Sequence, residues 1–244
     1  MEEVEAKAAK ILRQRTRQRI AKNGLEYSMP SNVNLTSIYD TGVIAILRAS
    51  SSLALSQAAE ALRDGGICAI EVTLTTPGAL QVIEQVRLAL GESVLFGAGS
   101  VLDADSARAA ILAGAQFIVS PSCSVKVIEL CRCYTIPVFP GAYTPTEIVT
   151  AWEAGANMVK IFPASVGGPE MIKALKAPLP HIAMMPVGGI EINNTASFIR
   201  AGASAVGVGS ALVNEQLLNQ GSYAEITARA QRFLQEVRRG REKS

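Results

Sequence analysis

Four phrases of one kind recur along this chain: DGGICAI at 64–70, AGAQFIV at 113–119, AGANMVK at 154–160 and AGASAVG at 201–207. Each closes a helical pattern with glycine and opens an apolar run. Their first glycines stand at 65, 114, 155 and 202, so the separations are 49, 41 and 47 residues. Each separation holds two strand–helix units, which places the phrases before strands two, four, six and eight of one series. The predicted strands are 43–47, 67–74, 93–97, 116–120, 136–139, 157–162, 182–187 and 204–208. They are near-continuous hydrophobic runs, the pattern of parallel strands covered on both faces. Eight parallel strands with this fourfold echo predict an α/β chain with a (β/α)8 TIM barrel over 42–244; an open doubly wound sheet is the alternative.

Local signals mark the helices between the strands. Thr144-Pro145-Thr146-Glu147 predicts a helix start with an N-cap threonine, a proline at the first helical position and a glutamate closing a capping box. Pro77 is expected to open another helix that Gly91 ends, and Ser51 or Ser52 to cap a third with Leu53, Ala58, Ala59 and Leu62 on its buried face before Gly65-Gly66. Residues 1–41 lie outside the rhythm and form a separate arm and linker. Residues 2–22 read as a charged helix with sparse apolar positions (Val4, Ala8, Ile11, Leu12, Ile20) that packs on the barrel or on a neighbouring subunit, and 23–37 as a linker. A polybasic docking arm and a transit peptide are the alternatives, the acidic start Glu2-Glu3 opposing the second.

Composition narrows the chemistry. One histidine, His181, rules out paired-histidine metal faces and the H-E-x-x-H motif, so a catalyst here relies on Lys, Arg, Glu, Asp, Ser, Thr or backbone. Four cysteines without a secretory signal do not suggest a disulfide scaffold. Cys131-Arg132-Cys133 reads as part of a surface helix, and His181 as structural, at the N-terminal face of the barrel. No apolar run has the length of a membrane span, and a net charge of +2 does not suggest a nucleic-acid partner. That charge is uneven: residues 1–26 carry +3 and the remainder −1. A cytoplasmic location is expected, an organellar mature form being left open.

A barrel carries its active site at the C-terminal ends of its strands, and several polar residues fall there. Lys160 is the only lysine within a predicted strand. Burial lowers an amine's pKa and makes it a nucleophile able to form a Schiff base with a ketone. Glu71, in an otherwise apolar strand, shares a face with Thr73 and Thr75 by alternation, and burial would raise its pKa towards proton-transfer use. A structural ion pair with Lys160 or Arg48 is the competing role for both. Arg48, ending strand one, suits bidentate binding of a carboxylate, or a rim salt bridge. Gly97-Ala98-Gly99-Ser100 follows strand three, where small residues let a ligand approach the backbone. After strands seven and eight come Gly188-Gly189 and Gly207-Val208-Gly209-Ser210, positions where barrels commonly hold phosphate on backbone N–H groups. Together these groups imply a phosphorylated keto acid, processed through an imine on Lys160 with no metal and no cofactor. Another phosphate-binding barrel enzyme, an isomerase or epimerase, would keep the glycine loops without an imine. A non-enzymatic scaffold or binding protein of the same fold is the more remote reading.

Over 42–240 the phrases GVIAILRA (42–49), IEVTLTTP (70–77), GAGSVL (97–102), AGAQFIVSP (113–121), PGAYTPTEI (140–148), VKIFPAS (159–165), PVGGI (186–190) and GVGSALV (207–213) resemble the 2-dehydro-3-deoxy-phosphogluconate aldolase family. Its 4-hydroxy-2-oxoglutarate and phosphogalactonate relatives share the resemblance. The resemblance implies Lys160 as the Schiff-base lysine and Glu71 as the general acid/base. It places Arg48, Thr73 and Ser100 near the carboxylate, and Gly188, Gly189, Gly209 and Ser210 on the phosphate. It also implies a class I lyase, a homotrimer, and pyruvate with glyceraldehyde 3-phosphate as products. Three positions depart from the family pattern. Thr75 stands where some members carry arginine, Ser100 where threonine is usual, and Val187 where the usual phrase is P-T-G-G. Val187 looks more like the phosphogalactonate branch and is expected to bear on which substrate epimer is preferred.

Overall fold

A computed structural model describes residues 35–48 and 52–242. The expected helix at 2–22, nearly all of the 23–37 linker and Ser51, one of the two expected caps, lie outside the described residues.

The strands are β1 (Val43–Leu47), β2 (Ala69–Thr73), β3 (Leu95–Gly99), β4 (Phe117–Val119), β5 (Val138–Phe139 and Gly141–Ala142, interrupted at Pro140), β6 (Val159–Ile161), β7 (Met184–Pro186) and β8 (Val206–Val208). Proline has no N–H to give to a ladder, which accounts for the break within β5. Every pairing is parallel, and β1 pairs with both β2 and β8. The ladder runs on through β3, β4 and the first half of β5. It resumes from the second half of β5 through β6 to β7. The parallel bridge Val187↔Gly207 and the Ser204 N–H donating to Met184 O at 2.9 Å join β7 to β8, closing the ring. All eight predicted strands are present, and the fold is the (β/α)8 barrel.

The helices are α1 (Thr36–Thr41), α2 (Ser52–Asp64), α3 (Ala79–Leu90), α4 (Ala104–Leu112), α5 (Val125–Cys133), α6 (Pro145–Ala154), α7 (Ala164–Lys176), α8 (Ile192–Arg200), α9 (Glu215–Asn219) and α10 (Tyr223–Arg241). The capping box of α6 forms as read: Thr144 accepts from the Glu147 N–H, and Glu147 accepts from the Thr144 N–H at 2.8 Å. α3 begins two residues later than Pro77 suggests, because Gly78 adopts a left-handed φ of 69° and takes the N-cap position. Its end at Gly91 is as read. Helix α1 closes the base of the barrel with the fully buried Ile38, and the Arg241 guanidinium of α10 clasps it by donating to the carbonyls of Tyr39 and Asp40. His181 is exposed, its ring edge-on to Trp152, and Cys131 is buried on α5 while Cys133 is exposed. Among the described residues no helix is long and apolar enough to cross a membrane.

Two apolar layers result. One lies between the strands and the helices. The other fills the barrel with Ile44, Ile46, Phe117, Val119, Phe139, Met158, Met185 and Val187. Phe117 and Phe139 stack there with centroids 5.5 Å apart. Gly97 makes room for this packing, since a Cβ on it would lie 2.3 Å from the Phe117 ring. The interior is thus a packed plug, and chemistry is left to the rim.

Candidate active site

Lys160 is the central residue of β6, paired with Gly141 on one side and Met185 on the other. Gly141 has no alternative at that register, because a Cβ would sit 2.3 Å from the Pro121 backbone. The lysine is 6% exposed, and its Nζ lies 5.1 Å from the centroid of the Phe162 ring. Alternation puts Phe162 on the same face two residues on, so the ring covers the amine. Burial holds the Lys160 pKa below its ordinary value. The Glu71 carboxylate opposes that shift and the Arg48 cation adds to it.

Glu71 is 1% exposed on β2, four strands round the barrel from Lys160. Burial raises its pKa above the ordinary carboxyl range, and Lys160 and then Arg48 pull it back. Its Oε2 is buried without a hydrogen-bond partner among the described residues. The two groups feel one another electrostatically, yet no ion pair among the described residues joins them. The competing role of a structural ion pair therefore has no contact to support it. A carboxyl pushed up and an amine pushed down at one site is the pairing that equips both for proton transfer and nucleophilic attack at neutral pH.

The remaining predicted residues converge on the same end. Thr73 closes β2, fully buried, and its hydroxyl accepts from Thr75 Oγ1 at 3.1 Å and lies 3.3 Å from Thr76 Oγ1. Thr75 itself lies past the end of β2, in a turn, so it meets Thr73 by a hydroxyl contact and not by strand alternation. Ser100 follows β3 with a left-handed φ of 59°, an unusual conformation for a residue with a side chain. Arg48, Val187, Gly188, Gly189, Gly209 and Ser210 line one cleft of about 730 Å3 together with Phe162. Gly188 and Gly189 have φ of 92° and 73°, a backbone that side chains resist. Residues 209–213 form a helical turn, Leu212 and Val213 N–H both donating to Gly209 O. The N–H groups of Gly189 and Ser210 have no backbone partner among the described residues, so they remain available to an anion.

Phe162 was not among the residues singled out from the sequence, although its spacing from Lys160 was sufficient to find it. Glu191, Asn214 and Glu215 also line the cleft. Glu191 and Asn214 serve as N-caps of α8 and α9 and carried no chemical signal in the sequence.

Comparison with known proteins gives the family. Residues 36–229 match the family model described as KDPG and KHG aldolase. A 2-dehydro-3-deoxy-phosphogluconate aldolase of Treponema pallidum is 39% identical over 73% of this chain and 85% of its own length. A 2-dehydro-3-deoxy-6-phosphogalactonate aldolase of Escherichia coli is 42% identical over 70% of this chain and 83% of its own. The KDPG aldolase of Legionella pneumophila, solved with pyruvate captured as a covalent carbinolamine intermediate, superposes with a TM-score of 0.77 at 28% identity, covering 82% of this chain and 98% of that one.

Proposed function

Because the chain belongs to the KDPG and KHG aldolase family, we propose that it is a class I lyase cleaving 2-dehydro-3-deoxy-6-phosphogluconate to pyruvate and glyceraldehyde 3-phosphate. The observation that carries this reading is a buried, pKa-lowered lysine facing a buried, pKa-raised glutamate at the mouth of a barrel that also presents an anion cradle.

The geometry supports the following course. Glycine N–H groups after β7 and β8 hold the phosphate, and Arg48, Thr73 and Ser100 hold the carboxylate. Lys160 Nζ attacks the ketone carbon, and loss of water gives a protonated imine. Glu71 takes the proton of the hydroxyl on the second carbon beyond the imine. The carbon–carbon bond next to that hydroxyl breaks, its electrons enter the imine to form an enamine, and the phosphorylated aldehyde leaves. The enamine is protonated at carbon, and water returns to release pyruvate and regenerate the amine. The released and consumed waters balance, and no metal enters the cycle.

The galactonate-derived epimer is a second reading that Val187 favours. This side chain is 5% exposed on the cleft wall, above Gly207 and Ile46, and has no hydroxyl to offer a substrate hydroxyl. Val187→Thr is expected to raise the ratio of kcat/KM for the gluconate-derived over the galactonate-derived epimer by roughly tenfold. Steady-state assays with coupled pyruvate detection on both epimers and on 4-hydroxy-2-oxoglutarate, the other alternative substrate, test this; an unmoved ratio removes Val187 as a determinant, and inertness of the parent towards all three removes the aldolase reading. A homotrimer is part of the proposal. It rests on the family's likeness, and the apolar side chains Leu102 (64% exposed) and Val166 (70% exposed) are the positions whose burial in an assembly a solvent-accessibility measurement would read. Light scattering should return about three times the chain mass.

A further inference from the structure

Glu71 does not lie where its own register partner would put it. It pairs with Gly97, but its side chain runs towards the C-terminal rim and lies across Gly99, the partner of Thr73. A Cβ built on Gly99 would stand 1.7 Å from Glu71 Oε1, 2.3 Å from Cδ and 2.5 Å from Cγ. The carboxylate therefore occupies the space that any other residue at 99 would fill. All three of the atoms nearest such a Cβ belong to Glu71. The Gly99 backbone is ordinary strand, without the left-handed φ that favours glycine. Glycine in a strand interior costs stability and usually marks a close approach. Its neighbour on the same face, Gly97, accommodates a different group, the Phe117 ring. The two inward glycines of β3 thus separate a packing task from a chemical one.

We propose that Gly99 is a positioning residue that lets Glu71 lean onto β3, away from Lys160 on the opposite wall, so that acid/base and amine face each other across a gap the substrate can enter. This rests on the aldolase reading above. A methyl at 99 pushes the carboxylate towards the barrel axis and so towards the lysine. An ion pair formed there would keep the amine charged and the carboxyl ionised, disabling both.

The test compares Gly99→Ala, Gly97→Ala, Glu71→Asp and the double variant Gly99→Ala/Glu71→Asp with the parent. Aspartate lacks Cδ and Oε1, the two atoms nearest the new methyl, and its carboxyl ends at Cγ, one bond farther from Gly99's side of the cleft. Gly99→Ala is expected to lower kcat on the phosphogluconate-derived substrate by ~10²-fold with KM within a few fold. Its thermal transition should stay close to the parent's, and borohydride trapping of pyruvate on Lys160 should require higher pH. The double variant should recover at least tenfold in kcat over Gly99→Ala. Gly97→Ala should lower the melting temperature without moving the pH dependence of trapping. Unchanged kcat in Gly99→Ala overturns the inference. So does a loss with the thermal transition that aspartate fails to rescue. A parent that is not trapped on Lys160 at all instead overturns the aldolase reading itself.

Discussion

Lys160→Ala is expected to abolish turnover, a loss of at least ~10⁴-fold, because no other lysine among the described residues stands in the barrel's strands to supply the imine. Lys126 and Lys173 are exposed on the helices Val125–Cys133 and Ala164–Lys176, and the half-buried Lys176 spends its amine on the carbonyls of Pro180 and Ile182, away from the cleft. Removing the site's amine should also reveal what the site costs the fold. Burial lowers the Lys160 pKa from its ordinary 10.5, so the charged amine is disfavoured in the folded chain. Its contribution is fully favourable only above pH 10.5 and is lost as pH falls through the lowered value. Each unit of that shift is worth about 1.4 kcal/mol. Lys160→Met, which keeps the apolar stem, should therefore melt above the parent at neutral pH, and the difference should close above pH 10.5. A methionine variant less stable than the parent at pH 7 would show that the buried amine is compensated by contacts beyond those seen.

Glu71→Gln is expected to cut kcat by ~10²–10⁴-fold while leaving imine formation intact, since general acid–base catalysis supplies about that factor. It should also move the lysine. The carboxylate is the one group that raises the Lys160 pKa against burial. Without it the amine loses its proton at lower pH, so the onset of pyruvate trapping should shift to lower pH than in the parent. Stopped borohydride reduction across a pH series gives that onset, and turnover assays give kcat. A shift to higher pH, or turnover within tenfold of the parent, would mean that Glu71 is not the proton carrier.

The barrel was legible because its strands are buried on both faces and written in long apolar runs, and because glycine stops recur before every second one. Lys160 and Glu71 stood out for the same reason: each is a charge inside such a run. What the sequence concealed depends on side chains meeting across strands. Gly97 and Gly99 read alike, as small residues near a ligand; one houses the Phe117 ring and the other Glu71. Thr75 read as the next inward position of β2, but the strand ends at Thr73 and the chain turns. Pro77 read as a helix start until Gly78 took a left-handed conformation that a one-dimensional pattern cannot disclose. Pro140 splits β5 locally while the barrel order persists, because neighbouring strands carry the ladder past it.

The central claim is that Lys160 forms an imine with a keto acid. Borohydride reduction in the presence of pyruvate, followed by peptide mass mapping, tests it most directly. One reduced pyruvyl adduct on the peptide holding Lys160, absent in Lys160→Ala and unaffected by EDTA, is the predicted result. No adduct, or an adduct on a different lysine, would contradict it.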